Sequence, residues 1–198
     1  MSTKELPILH FPDQPAFERW LAEQYDQSPG IWLQISKKNA SLPSVTYHEA
    51  LDVALCYGWI DSHKRKHDEE SWIQRFSPRG AKSIWSQINK DKVEVLIAAG
   101  KMQPSGLKAI EIAKQNGLWD KAYESQSNAA VPEDFALELA RNEKAGQFFE
   151  TLDKQNRYAI LFRIHNVKKQ ETRVKKIQQF IEMLEKGEKI YPSKKEGK

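Results

Sequence analysis

The densest run of side chains able to hold a charged ligand is Ser77-Pro78-Arg79-Gly80-Ala81-Lys82-Ser83, preceded by Arg75 and followed by Trp85 and Asn89. Pro78 and Gly80 force a turn, and Arg79 and Lys82 flank an expected helix start, where free backbone N–H groups and the helix dipole favour anions. That arrangement suits a phosphate or a carboxylate. The plainer alternative has Ser83 capping the helix and Arg79 pairing with an acid such as Asp61.

A second basic run follows later, with Arg163, Lys168, Lys169, Arg173, Lys175 and Lys176 set against Glu171 alone. On a helix, Thr172, Lys175 and Lys176 turn toward solvent while Val174 and Ile177 turn inward, which makes a ridge on which Lys169, Thr172 and Arg173 can contact phosphates. The alternative is a solvated face with Arg173 bridging two helices through Glu171 or a carbonyl.

Asp61 is the one catalytic candidate, as a general acid or base, although a lone carboxylate more often holds a basic side chain in place. His63 and His67 have the spacing of zinc ligands on a helix, but Lys64-Arg65-Lys66 between them repels a cation, so no metal site is expected. Glycine-rich phosphate loops, nucleophile elbows and H-E-x-x-H helices are absent from the sequence, and no cofactor is expected. Trp32, Trp59, Trp72 and Trp85 can stack on bases or sugars beside arginines, yet they sit in apolar patterns that favour the core.

Several elements must position these residues. Ile31-Trp32-Leu33-Gln34-Ile35 reads as a buried strand after the Pro29-Gly30 turn, and Phe17 to Leu21 as a short helix. Thr46 with Glu49 is a capping-box pair ahead of a helix carrying Tyr47, Ala50, Leu51, Ala54, Leu55 and Trp59 at helical spacing. Residues 61 to 76 read as a hairpin with a charged tip, closing on the alternating Ser71-Trp72-Ile73-Gln74-Arg75-Phe76. Helices are expected at 84–99, at 104–116, from Pro132 onward, and near 155–166 and 171–186, the last with Val174, Ile177, Ile181 and Leu184 on its buried stripe.

The fold class is therefore α+β: a small mixed β-sheet with helices in the N-terminal half and a helical C-terminal half. The expected divisions are 1–125, 126–190 and a disordered tail at 191–198, with Glu124-Ser125-Gln126-Ser127-Asn128 as the joint. With 198 residues, a net charge of +4 and one cysteine, Cys56, in an apolar run, no disulfide staple is needed and a reducing, cytoplasmic setting fits. The N-terminus lacks an apolar leader and no run is apolar enough to insert in a membrane.

Ala54-Leu55-Cys56-Tyr57-Gly58-Trp59-Ile60-Asp61, the run from Arg75-Phe76-Ser77-Pro78-Arg79 to Lys90, Ala99-Gly100-Lys101-Met102, and Lys168-Lys169-Gln170-Glu171-Thr172-Arg173 together resemble the YdeI/OmpD-associated family of bacterial proteins. The resemblance runs from about Phe17 to Leu184; Val167 and Gln170 stand where the family usually has alanine and proline. It implies links to outer-membrane porin expression and to protection against bacteriocins or cationic peptides, without an established reaction. The resulting expectation is a non-catalytic protein that binds an anion, either nucleic acid or a small anionic metabolite, in a basic groove between the 75–89 segment and the 168–176 helix. Two alternatives stand beside it. An enzyme on a small anionic substrate requires Asp61, Arg79 and Asn89 to converge in one pocket, and a protein-binding adaptor requires an exposed apolar patch.

Overall fold

The computed structural model describes residues 5–124 and 129–192. It divides into two compact units, the first ending at Ala122 and the second beginning at Tyr123. Residues 125–128 of the expected joint and 193–198 of the expected tail lie outside the described residues.

In the first unit the apolar run after Gly30 forms β2 (Ile31–Ser36). The short β1 (Ile8–His10) pairs with it in parallel, β4 (Ser71–Pro78) pairs antiparallel on its other side, and β3 (Trp59–Lys66) closes the sheet beyond β4. Alternation divides each strand between two faces. Ile31, Leu33, Trp59 and Phe76 point at α1 (Gln14–Gln24) and α2 (Tyr47–Cys56), where Phe17, Leu21, Ala50 and Val53 complete a core. The opposite face carries Trp32 across from Arg75 and Gln34 across from Ile73.

A further layer stacks on the outer side of α2. Leu51, Leu55 and Cys56 meet Trp85, α3 (Gln87–Ala98) through Val93 and Leu96, and α4 (Pro104–Gln115) through Ile110. The helices of this unit thus lie to one side of the sheet.

Two glycines make the layers fit. Gly58 turns at φ +77 between α2 and β3, a backbone conformation that side-chain-bearing residues avoid. Gly106 lies so close to α2 that a Cβ there would collide with the Cys56 carbonyl oxygen. The motif Cys56-Tyr57-Gly58-Trp59 is therefore a packing device, and Trp59 completes it by donating its indole N–H to the Tyr25 carbonyl at 2.9 Å.

The capping box at α2 forms as expected: Glu49 accepts from the Thr46 N–H at 2.9 Å and Thr46 Oγ1 accepts from the Glu49 N–H at 3.3 Å. The expected start of α3 is three residues early. Ser86 is the cap, its Oγ accepting from the Asn89 N–H at 3.2 Å, while Ser83 Oγ accepts from the Gly80 N–H at 3.1 Å and closes the preceding turn.

The elements of the second unit among the described residues are four helices, α5 (Glu133–Arg141), α6 (Glu143–Glu150), α7 (Lys154–His165) and α8 (Gln170–Glu185). Where one helix was expected from Pro132, Asn142 breaks it in two. Its extended backbone, at φ −122, ends α5, and its side chain accepts from the Ala145 N–H at 3.1 Å to start α6. Phe135, Phe149, Ile160, Ile164 and Ile177 meet in the core. Val174, expected on the buried stripe of α8, is 57% exposed. Arg173 takes the inward position one turn before Ile177 instead, because its guanidinium is held by the Asp134 carboxylate and the Ile164 carbonyl. Among the described residues no helix is long and apolar enough to cross a membrane.

Candidate functional site

Strand β4 and the turn after it send their cations to different places. Arg75 sits on the sheet face away from the helices, opposite Trp32, and Ser77 follows on that face beside Ile60 of β3. Arg79 leaves the sheet, its N–H donating to the Gly58 carbonyl at 2.9 Å. Its Nη1 donates to the Ile84 carbonyl at 3.1 Å, and the guanidinium lies 3.7 Å above the Trp85 ring. The turn thus folds Arg79 back onto the indole that plugs the α2–α3–α4 core.

Around that indole a cluster forms. Trp119, just past α4, meets Trp85 edge to face with centroids 5.0 Å apart. Lys90 from the first turn of α3 lies 5.1 Å from the Trp119 ring centre, and Lys114 from the last turn of α4 lies 5.4 Å from it. Asn116 donates to the Ala81 carbonyl at 3.2 Å, so the turn bearing the exposed Lys82 is pinned to the end of α4. Among the described residues, Lys82, Lys90 and Lys114 make no ion pair with a carboxylate. The Trp85 indole N–H is shielded and meets no acceptor among them. Asn89 is buried below, in the first turn of α3.

Asp61 belongs elsewhere. It faces α2, where the Tyr47 hydroxyl donates to Oδ2 at 2.9 Å and Gln74 Nε2 donates to the same oxygen at 3.3 Å. Gln74 is buried and also donates to the Ser62 carbonyl at 3.0 Å, so the carboxylate helps satisfy a polar group inside the sheet. Asp61, Arg79 and Asn89 are thus held by different neighbours. His63 lies in β3, and His67 beside Asp68 at 3.9 Å, rather than together on a helix. Burial raises the Cys56 thiol to a pKa of about 11, which keeps it a neutral apolar group.

Residues 9–109 match the model of a domain of unknown function (DUF8412), which spans just over half of the chain, and residues 128–187 match the family described as Bacteriocin-protection, YdeI or OmpD-Associated. The chain belongs to the first family, and its C-terminal region is YdeI/OmpD-associated. No curated protein and no solved structure matches the chain.

In the YdeI/OmpD-associated region the basic motif has a structural centre. Arg173 Nε and Nη2 donate to the two carboxylate oxygens of Asp134 at 2.6 and 2.9 Å, and Nη1 donates to the Ile164 carbonyl at 2.8 Å. One guanidinium therefore ties α5, α7 and α8 together. The hydrogen bonds from Arg173 hold the Asp134 carboxyl below its ordinary range and raise Arg173 in turn. Lys169, the residue before α8, and Thr172 in its first turn are both exposed.

Lys90, Lys114 and Trp119 are not among the binding residues expected from the sequence. Nothing in the spacing joins them to Arg79, since α3 and α4 must first fold onto α2.

Proposed function

We propose that the first unit is a non-catalytic binding module for a small anion bearing a planar ring, acting in the cytoplasm in the protection from bacteriocins for which the YdeI/OmpD-associated family is described. The observation that carries this reading is the Trp85–Trp119 pair with Arg79, Lys90 and Lys114 over its rings. Ammonium and guanidinium groups beside indoles attract phosphate or carboxylate at close range, while the indole edge supplies an apolar surface for a ring. Lys82, exposed on the turn pinned to the end of α4, extends the positive rim.

Asp61, already engaged by Tyr47 and Gln74, supports a structural role for that carboxylate rather than acid–base work. The protein's anion chemistry in this reading is electrostatic and reversible.

Calorimetric titration of the full chain with a nucleoside monophosphate, its parent nucleoside and inorganic phosphate tests the proposal. The monophosphate is expected to bind, the nucleoside to bind far more weakly, and K90E/K114E to weaken the monophosphate by at least about tenfold, or about 1.4 kcal/mol. Equal affinity for nucleoside and monophosphate, or no loss in the double variant, would refute it.

A further inference from the structure

The sheet face turned away from α1 and α2 has a composition of its own. Its register positions carry Ile8 and His10 on β1, Trp32, Gln34 and Ser36 on β2, Ser71, Ile73, Arg75 and Ser77 on β4, and Ile60 and Arg65 on β3. The side chains at these positions include no carboxylate. Trp32 is 9% exposed and Ile73 7%, although the helices of this unit pack on the other side.

Arginine explains part of that shielding. The Arg65 guanidinium reaches across β4 to lie 4.4 Å from the Trp32 ring centre, and Arg75 stands directly across from the same tryptophan. Arg65 is itself exposed, and Arg75 Nε is shielded without a hydrogen-bond partner among the described residues. Gln34 donates to Ser71 Oγ at 3.1 Å and His10 Nε2 meets the Pro43 carbonyl at 2.9 Å, so the polar residues around this arginine–indole stack are held in place.

We propose that this face is a platform for single-stranded nucleic acid. A guanidinium held over an indole leaves its solvent side for a stacking base, and a sheet surface whose fixed charges are cations suits a phosphate backbone passing beside it. A folded protein partner would want apolar area or acidic complements, and a duplex offers no unstacked base to the Arg65 plane. The platform lies on the opposite side of the sheet from the Trp85–Trp119 cluster, draws on different residues and stands whether or not that cluster binds a small anion.

Fluorescence anisotropy of a labelled oligothymidine of about 12 nucleotides, titrated with the full chain at low and near-physiological salt, tests the platform. Binding is expected, weakening linearly on a log–log salt plot, with R65E/R75E reducing affinity by about tenfold and flattening the salt slope by about 0.7 for each phosphate no longer neutralised. The charge-matched K108E/K144E, at exposed positions on other elements, is expected to keep nearly all of the affinity. Because Arg75 is half-buried, thermal melts accompany the double variant, and R65E alone, at an exposed position, must also weaken binding. No binding at low salt, equal losses in K108E/K144E and R65E/R75E, an unaffected R65E, or binding to anionic phospholipid vesicles without binding to the oligonucleotide would overturn the proposal.

Discussion

Arg173 shows how one residue can look like a ligand contact in sequence and serve the fold in space. Its bidentate bonds to Asp134 and its bond to the Ile164 carbonyl consume the guanidinium. Arg173→Lys is expected to destabilise the second unit by about 1–2 kcal/mol, since an ammonium cannot span both carboxylate oxygens and Asp134 is partly exposed. The pH dependence follows from Asp134, whose carboxyl is depressed chiefly by hydrogen bonding from Arg173. A depressed carboxyl contributes stability that is present above its unfolded pKa and lost as pH falls through the folded one. The stability gap between the native chain and D134N, read by denaturant melts, should therefore stay constant near neutrality and shrink below about pH 4. A gap that widens in acid would show that the pair is not the cause.

Element packing depends on positions where a methyl group is too much. Gly106→Ala pushes a Cβ into the Cys56 carbonyl, a backbone atom that yields only if α4 moves away from α2, so a loss of about 2–3 kcal/mol is expected in a thermal or urea melt. Other elements were plain in the sequence because their signals are local: the Thr46–Glu49 box announces α2, and the run after Gly30 announces β2. The three-residue β1 has no such signal, for Ile8, Leu9 and His10 become a strand only through pairing with Trp32, Leu33 and Gln34. Asn142 hid the break between α5 and α6, since a capping asparagine inside an amphipathic run reads as one more polar position. The cationic turn at Arg79 and Lys82 was legible from Pro78 and Gly80; its partners on α3 and α4 were not, because two helices had to stack on α2 before Lys90 and Lys114 met Trp119.

At the scale of the molecule, a net charge of +4 says little until the cations are placed. In the first unit they gather over indoles, at Arg65 on Trp32, Lys64 on Trp72, Arg79 on Trp85, and Lys90 and Lys114 on Trp119. The expected groove took its two halves from different units. In the first, the 75–89 residues divide between a sheet platform and the Trp85–Trp119 cluster; in the second, Arg173 is spent on the helix junction. Anion binding should accordingly be insensitive to T172A and to K169A, which calorimetry can confirm against the loss expected in K90E/K114E.

Trp85 and Trp119 form the heart of the proposed anion site, and the indole N–H resonances of nitrogen-15-labelled protein report on them directly. Titration with a nucleoside monophosphate is expected to shift these two of the six tryptophan indole signals saturably, and K90E/K114E to abolish both shifts. Indole signals that stay fixed throughout the titration, or shifts that persist unchanged in K90E/K114E, would contradict the account.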